Sequence, residues 1–151
     1  MSKIYFKYGI LIAIGLVVYF LLTKLMGLHR YPVLSAANGL IFGAGIFLAV
    51  KQMKDKKKRF KYQKGFQVGF MTGAVATMVF VAFMAVYMYH LDTEFSNNIL
   101  DSWHLNYESG TLMILLSLVL MGLSTSLVLT LAFMQLLKDS WNTPNKGRDT
   151  L

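Results

Sequence analysis

Four long apolar stretches alternate with short polar ones along this 151-residue chain. They cover about residues 8–28, 33–50, 65–90 and 111–137. Crossing the hydrocarbon core of a bilayer takes roughly 20 apolar residues in a helix. Continuous runs of this length predict helices rather than barrel strands, because a backbone amide in lipid must bond within its own segment. The pattern therefore predicts a single all-α domain over 1–151, an integral membrane bundle of four transmembrane helices.

The composition separates this bundle from a soluble one. Hydrophobic residues make up 56% of the chain and charged residues 15%, whereas a soluble domain has about 25% charged residues. A soluble four-helix bundle would need a polar face on each helix, and the first, third and fourth stretches have no charged stripe. A cleaved signal peptide is disfavoured because Lys24, His29 and Arg30 separate the first apolar run from the small residues 35–37.

Positive charge gathers on one side of the predicted bundle, which indicates its orientation. The loop 91–110 contains acidic residues and no Lys or Arg, whereas the loop 51–64 has one acid, Asp55, among many basic residues. Lys and Arg favour cytoplasmic loops, so we predict an N-in/C-in protein of the bacterial inner membrane. We also expect the basic loop to contact anionic lipid headgroups. The residues expected to do so are Lys51, Lys54, Lys56, Lys57, Lys58, Arg59, Lys61 and Lys64.

A basic run interleaved with Phe60 and Tyr62 is also typical of nucleic-acid binding. This run is short, is tethered by an apolar stretch at each end, and lacks a recognised nucleic-acid-binding fold. We therefore predict no nucleic-acid partner, and we expect the two aromatic rings to anchor the loop at the membrane interface.

Small residues recur every fourth position on three of the stretches. This spacing keeps them on one helix face, where small side chains let helices approach closely in lipid. We predict three helix-packing faces, with the second and third helices paired as an antiparallel hairpin. A dimer interface is the alternative use of such a face. The packing residues are Ser35, Gly39 and Gly43, then Gly65, Gly69 and Gly73, and finally Gly122 and Ser126.

No residue pattern in the chain carries recognisable catalytic or cofactor chemistry. There is no cysteine, which excludes disulfides and thiolate metal sites. No ionisable residue lies near the middle of an apolar stretch, where transporters usually place one. His29, His90 and His104 share the outer side with acidic residues, but no spacing fixes two metal ligands on one helix. The ten methionines are better explained as adaptable filler than as a copper path. We predict no enzyme activity, cofactor or metal.

Three stretches carry a resemblance to a known family. They are KYGILIAIGL (7–16), the run 46–70 that contains KQMKDKKKRFKYQKGF, and YMYHLDTEF (87–95). Together they resemble a family of small four-span bacterial inner-membrane proteins of unknown function, frequent in the Bacteroidota. The resemblance implies four spans and no assigned activity or catalytic residue.

The sequence thus favours a non-enzymatic interaction or accessory subunit that docks on a membrane protein, or on its own copies, by its small-residue faces. The alternative is an oligomeric small transporter or channel subunit. In that case Asn38 and the hydroxyl cluster 124–126 would line the pore.

Overall fold

The computed structural model describes residues 2–27, 32–55, 62–103 and 107–137, which are helical and contain no strand. The helices are α1 (Ser2–Leu25), α2 (Pro32–Asp55), α3 (Tyr62–Val86, continued by a π-helical turn over Tyr87–Leu91), α4 (Thr93–Trp103) and α5 (Tyr107–Leu136).

Four of the described helical segments are long and apolar enough to cross a membrane: Lys3–Leu25, Ala36–Asp55, Tyr62–Leu91 and Gly110–Leu136. The predicted all-α, four-span class is confirmed. Large apolar side chains on the outside of the bundle are widely exposed, for example Leu120 and Met121 at 66% each. Lipid tails as the surrounding solvent account for this exposure, because they leave apolar surface with no need to be buried.

Contacts between named residues give the direction of each helix. Along α1 and α2, Gly15 lies next to Ile41 and Ile12 next to Gly45. Along α2 and α3, Val50 lies next to Gly69 and Ile46 next to Gly73, and α3 and α5 show the same reversed order. Consecutive long helices are therefore antiparallel, and α3 contacts each of the other three. The N-terminal ends of α1 and α3 and the C-terminal ends of α2 and α5 share one end of the bundle. We call it the basic end, after Lys3, Lys7, Lys51, Lys54 and Lys64. The other end, beside α4, is the α4 end.

The described core lies along α3 in three apolar clusters. Ala49, Met53 and Val68 are buried in the cluster nearest the basic end, and Ile46, Val50 and Met134 are fully buried in the middle one. Met84, Met88 and Leu100 are buried in the cluster at the α4 end, so that α4 is packed onto α3 and α5.

Regular structure extends into both predicted loops. α2 runs on to Asp55 and α3 begins at Tyr62, so the described part of 51–64 is helical. The stretch 91–110 contains α4, whose first turn is capped by Asp92: its Oδ1 accepts the Phe95 amide at 2.9 Å. A short amphipathic helix satisfies its own backbone groups where the chain meets the membrane surface.

The first helix ends earlier than the apolar run does. Gly27 has a φ of +67°, and its amide donates to the Lys24 carbonyl at 3.0 Å. A left-handed residue, usually glycine, ends many helices in this way. The apolar pattern continued to Leu28, but backbone conformation ends α1 at Leu25.

Candidate functional site

Three close contacts between small residues join α3 and α5 in the described bundle. A Cβ added to Gly69 would lie 2.6 Å from Cγ2 of Thr130, and one added to Gly122 would lie 2.5 Å from Cγ2 of Thr77. A Cβ on Gly73 would overlap the Ser126 side chain. Each close approach needs a glycine on one helix because a small residue of the other fills the space. The three pairs of this α3–α5 interface are Gly69–Thr130, Gly73–Ser126 and Thr77–Gly122.

Hydroxyl groups add a polar element to this interface. The Ser126 hydroxyl donates to the Phe70 carbonyl at 3.1 Å, which ties α5 to α3. Ser126 and Thr130 are both fully buried. Such interhelical hydrogen bonds contribute about 0.6 kcal/mol each in membrane proteins.

The other predicted packing residues lie in different surroundings. An added Cβ on Gly43 would meet Leu129 and Phe133 of α5 at 3.7 Å, so this position of α2 faces α5 rather than α3. Gly39 faces open space within 4 Å and does not form the close helix contact expected of it. Gly65 is buried near the start of α3. Ser35 lies on α2, but its side chain is outside the described set.

A cleft of about 260 Å³ opens beside the α3–α5 interface, between α2, α3 and α5. Apolar side chains form most of its wall. Its lining residues are Asn38, Gly39, Phe42, Thr77, Phe80 and Thr125, with Leu16, Val81, Leu118, Met121 and Gly122. Gly39 leaves room here because a Cβ added to it would meet nothing within 4 Å, whereas Gly122 is packed against Thr77.

Two buried polar atoms of the cleft have no hydrogen-bond partner among the described residues. They are Oδ1 of Asn38 and Oγ1 of Thr77. Thr72, five residues earlier on α3, instead donates to the Val68 carbonyl at 2.7 Å. A buried polar group left unsatisfied costs about 1–3 kcal/mol. Thr77 and Asn38 are therefore available to bind a group that enters the cleft.

At the basic end, the described lysines differ in what they contact. Lys51 is exposed and Lys64 is half-buried. Lys54 donates to the Leu137 carbonyl at 2.7 Å, which satisfies a backbone acceptor just beyond α5, where positive charge also suits the helix dipole. Lys54 thus contacts the end of α5 in addition to adding positive charge at the basic end. Lys56, Lys57, Lys58, Arg59 and Lys61 lie outside the described residues.

At the α4 end, Lys24 forms an ion pair with Asp92. The Lys24 ammonium also lies 4.5 Å from the ring centre of Phe95 and 4.8 Å from that of Tyr87, within the range of cation–π attraction. Phe20 packs edge-on against both rings. This Lys24 cluster ties α1, the π-helical turn and α4 together.

The hydrogen bond from Lys24 lowers the pKa of the Asp92 carboxyl. Partial burial raises that pKa, but the hydrogen bonds from the Phe95 amide and the Tyr87 hydroxyl lower it further. Asp92 therefore stays ionised to lower pH than an ordinary aspartate. The same carboxylate caps α4 through Oδ1 and accepts the Tyr87 hydroxyl at 3.2 Å on Oδ2.

The comparison with known families concerns the region that contains most of these features. Residues 7–111 match the family described as protein of unknown function DUF4199. The chain belongs to the DUF4199 family. The resemblance expected from the sequence is thus confirmed. The matched region includes the Lys24 cluster and the Asn38 and Thr77 side of the cleft, whereas the α5 side lies beyond it. No curated protein and no solved structure matches the chain.

In this DUF4199 protein, the sequence pattern put Lys24 near the end of the first apolar stretch and Asp92 in the acidic loop 91–110, and did not connect them. The sequence did contain a signal. In a four-span protein the first and third helices cross in the same direction, so a lysine at the end of the first and an aspartate just after the third lie at the same end of the bundle. For the metal site considered on the outer side, the described residues contain no group of three possible ligands close enough to hold an ion. His29 and His104 lie outside that set.

Proposed function

We propose that this protein is a non-enzymatic accessory protein of the bacterial inner membrane, N-in and C-in, which holds anionic lipid headgroups at its basic end. The observation that carries the proposal is the separation of charge along the bundle. Exposed or half-buried lysines collect at one end, whereas Glu94 and Asp101 are exposed at the other, where Lys24 is already paired. The lysines are Lys3, Lys7, Lys51 and Lys64.

The strength of the proposed lipid contact follows from surface electrostatics. A basic residue next to an anionic leaflet contributes about 1 kcal/mol, or about a fivefold change in affinity. Several lysines on adjacent helix ends add their attractions over one patch. The segment 56–61 between α2 and α3 adds more positive charge in the sequence.

The small-residue faces are a less suitable docking surface than the sequence indicated. Gly69, Gly73 and Gly122 already contact side chains of the same chain, so a partner would have to open the α3–α5 interface to reach them. A partner docking without such opening would use the outer surface of α5, whose candidate span is only 17% buried. We therefore place the proposed accessory role on that outer surface and on the basic end.

Orientation is tested by thiol labelling, since the chain has no cysteine of its own. Lys58→Cys lies between α2 and α3, and Asn98→Cys lies on an exposed position of α4. We expect a membrane-impermeant maleimide to label only the Asn98→Cys variant in intact spheroplasts, and both variants after permeabilisation. Labelling of both in intact cells, or of Lys58→Cys alone, would overturn the proposed orientation.

Lipid contact is tested by counting the phosphatidylglycerol and phosphatidylcholine retained by the purified protein in native mass spectrometry. We expect preferential retention of phosphatidylglycerol, reduced about fivefold for each charge removed in Lys51→Gln and Lys64→Gln. The exposed neighbours Gln63→Ala and Gln67→Ala are matched controls without a charge change. Equal retention of the two lipids would refute headgroup binding.

An oligomeric transporter or channel subunit is the second candidate, favoured by one observation. Ser124 and Thr125 are exposed on α5 within its membrane-spanning segment. Lipid tails offer hydroxyl groups no hydrogen-bond partner there. A second copy packed there would cover them and place them on a shared polar path. Ser126 is not part of such a path, because it is buried and bonded to Phe70. Solute flux from liposomes that is lost in Ser124→Ala/Thr125→Ala would favour this candidate.

A further inference from the structure

We propose that the cleft between α2, α3 and α5 binds a neutral, lipid-soluble ring compound with hydroxyl groups, of the phenol or quinol class. This goes beyond the proposed function, which concerns the basic end and the outer surface of α5. The proposal combines four features of the cleft: its unpartnered polar atoms, its lack of charge, its size and its depth.

The polar atoms define the chemistry of the ligand's functional groups. Thr77 is only 4% exposed, lines the cleft, and has a hydroxyl with no partner among the described residues. The buried Asn38 Oδ1 accepts a hydrogen bond and also lacks a donor. A ligand hydroxyl supplies the donor that Asn38 needs, and a ligand oxygen accepts from Thr77.

The rest of the lining selects a neutral ligand. None of the described residues that line the cleft is acidic or basic, and an unpaired charge at this depth would be strongly disfavoured. A carboxylate or phosphate group therefore has no counterpart here. Phe42 and Phe80 present aromatic surface, which favours a flat ring through stacked or edge-on contact.

The volume and the spacing of the polar residues suit one substituted ring. A cavity of about 150 Å³ is enough for benzene, and this cleft has about 260 Å³. Val50 lies against Gly69 and Ile46 against Gly73, so this antiparallel register continues to place Phe42 at the level of Thr77. Asn38 is one turn of α2 further, about 6 Å along the axis. Oxygens on opposite sides of one ring match such a displacement.

The depth of the cleft separates this class from phospholipids. Thr77 lies near the middle of the 30-residue segment Tyr62–Leu91, about 20 Å from either end at 1.5 Å per residue. The charged headgroup of a phospholipid is held at the membrane surface, about 15 Å from the centre of a 30 Å hydrocarbon core. A prenylated or alkylated quinol carries no charge, so its ring reaches this depth at a smaller desolvation cost.

The test uses the full chain in phosphatidylcholine nanodiscs and the probe 2-decylhydroquinone, with its dimethyl ether as the hydroxyl-free control. Binding is measured as the probe retained by protein-containing discs in excess of empty discs. We expect saturable binding of one quinol per protein, about tenfold weaker binding of the ether, and a loss of about five- to tenfold in Thr77→Val.

Gly39→Leu provides a second variant that keeps the fold. Because Gly39 faces open space, a leucine there fills the cleft without displacing a helix, and we expect it to abolish saturable binding. Ala44→Leu, at an exposed position of α2 away from the cleft, should bind as the parent does. The proposal is overturned if the ether binds as well as the quinol, if retention rises without saturating, or if Gly39→Leu binds like Ala44→Leu.

Discussion

Replacing Gly73 by alanine tests whether the α3–α5 interface holds the bundle together. The added Cβ would overlap the hydroxyl of Ser126 and lie 2.5 Å from its Cβ. Because Cβ atoms are fixed to the backbone, rotation of the serine side chain does not relieve this second contact. Carbon atoms need about 3.5 Å, so α3 and α5 must separate locally by about 1 Å.

The expected cost follows from the balance of three effects. Forcing an extra methyl group into a packed core costs about 1–3 kcal/mol. Disturbing the Ser126–Phe70 hydrogen bond, 3.1 Å long in the parent, removes about 0.6 kcal/mol. Alanine returns about 0.5–1 kcal/mol because it is a better helix former than glycine. We therefore expect Gly73→Ala to lower the free energy of unfolding by about 1–3 kcal/mol.

The assay is reversible unfolding of the purified protein in mixed micelles of dodecyl maltoside with increasing sodium dodecyl sulfate, followed by circular dichroism. Gly39→Ala is the matched control, because its Cβ meets open space, and it should be neutral or slightly stabilising. In the Ser126→Gly background, Gly73→Ala should cost less than about 0.5 kcal/mol, because the clashing side chain is gone.

Two results would refute this reasoning. One is that Gly73→Ala unfolds at the same detergent fraction as Gly39→Ala. The other is that Gly73→Ala costs the same with and without the serine side chain, which would show that the loss arises elsewhere than at this contact.

Three further predictions concern single contacts. Asp92→Ala should destabilise more than Asp92→Asn, because asparagine keeps the cap of α4, which is worth about 1 kcal/mol. Since the pKa of Asp92 is lowered in the fold, its ionic contribution is complete above the ordinary aspartate pKa of about 3.9 and is lost as pH falls through the lower folded value. The detergent stabilities of the parent and Asp92→Asn should therefore converge in acid; a difference that persists or grows there would contradict the assignment. Gly122→Ala, whose Cβ would lie 2.5 Å from Thr77, should cost about 1–3 kcal/mol in the same unfolding assay, whereas Gly43→Ala, at 3.7 Å from its nearest neighbours, should be neutral; equal effects would contradict the packing. Lys54→Met should speed hydrogen exchange in the last turn of α5, because the Leu137 carbonyl loses its donor, and unchanged exchange there would count against this contact.

Much of the fold was predictable from the sequence because it depends on one-dimensional properties. The length and continuity of the four apolar runs are enough to predict spanning helices in a solvent that cannot hydrogen-bond to backbone. The family resemblance carried by residues such as Lys51 and Gly69 was also visible. The period-four recurrence of small residues likewise identified Gly69, Gly73, Gly122 and Ser126 as positions that share helix faces.

Pairing between faces was not predictable, because spacing along one helix carries no information about its neighbour. α2 and α3 do pair as an antiparallel hairpin, with Val50 next to Gly69, but of the α2 stripe Gly43 faces α5 and Gly39 faces open space. The cleft is lined by residues from several helices, Gly39 of α2 and Gly122 of α5 among them, so it exists only in the folded bundle. Its unpartnered polar atoms are equally a tertiary result, since a threonine in a helix can otherwise bond to its own backbone, as Thr72 does.

The amino-acid order alone determined that this chain is a four-span helical membrane protein with its basic residues gathered toward one end. The apolar length and the charge of a segment are properties of its local sequence, and they decide whether that segment partitions into lipid or into water. Only the tertiary structure decided that Lys24 meets Asp92, that α3 is central, and that a neutral cleft opens at mid-depth. Those outcomes depend on which side chains fit between neighbouring helices, and the side chains that meet there come from residues far apart in the chain.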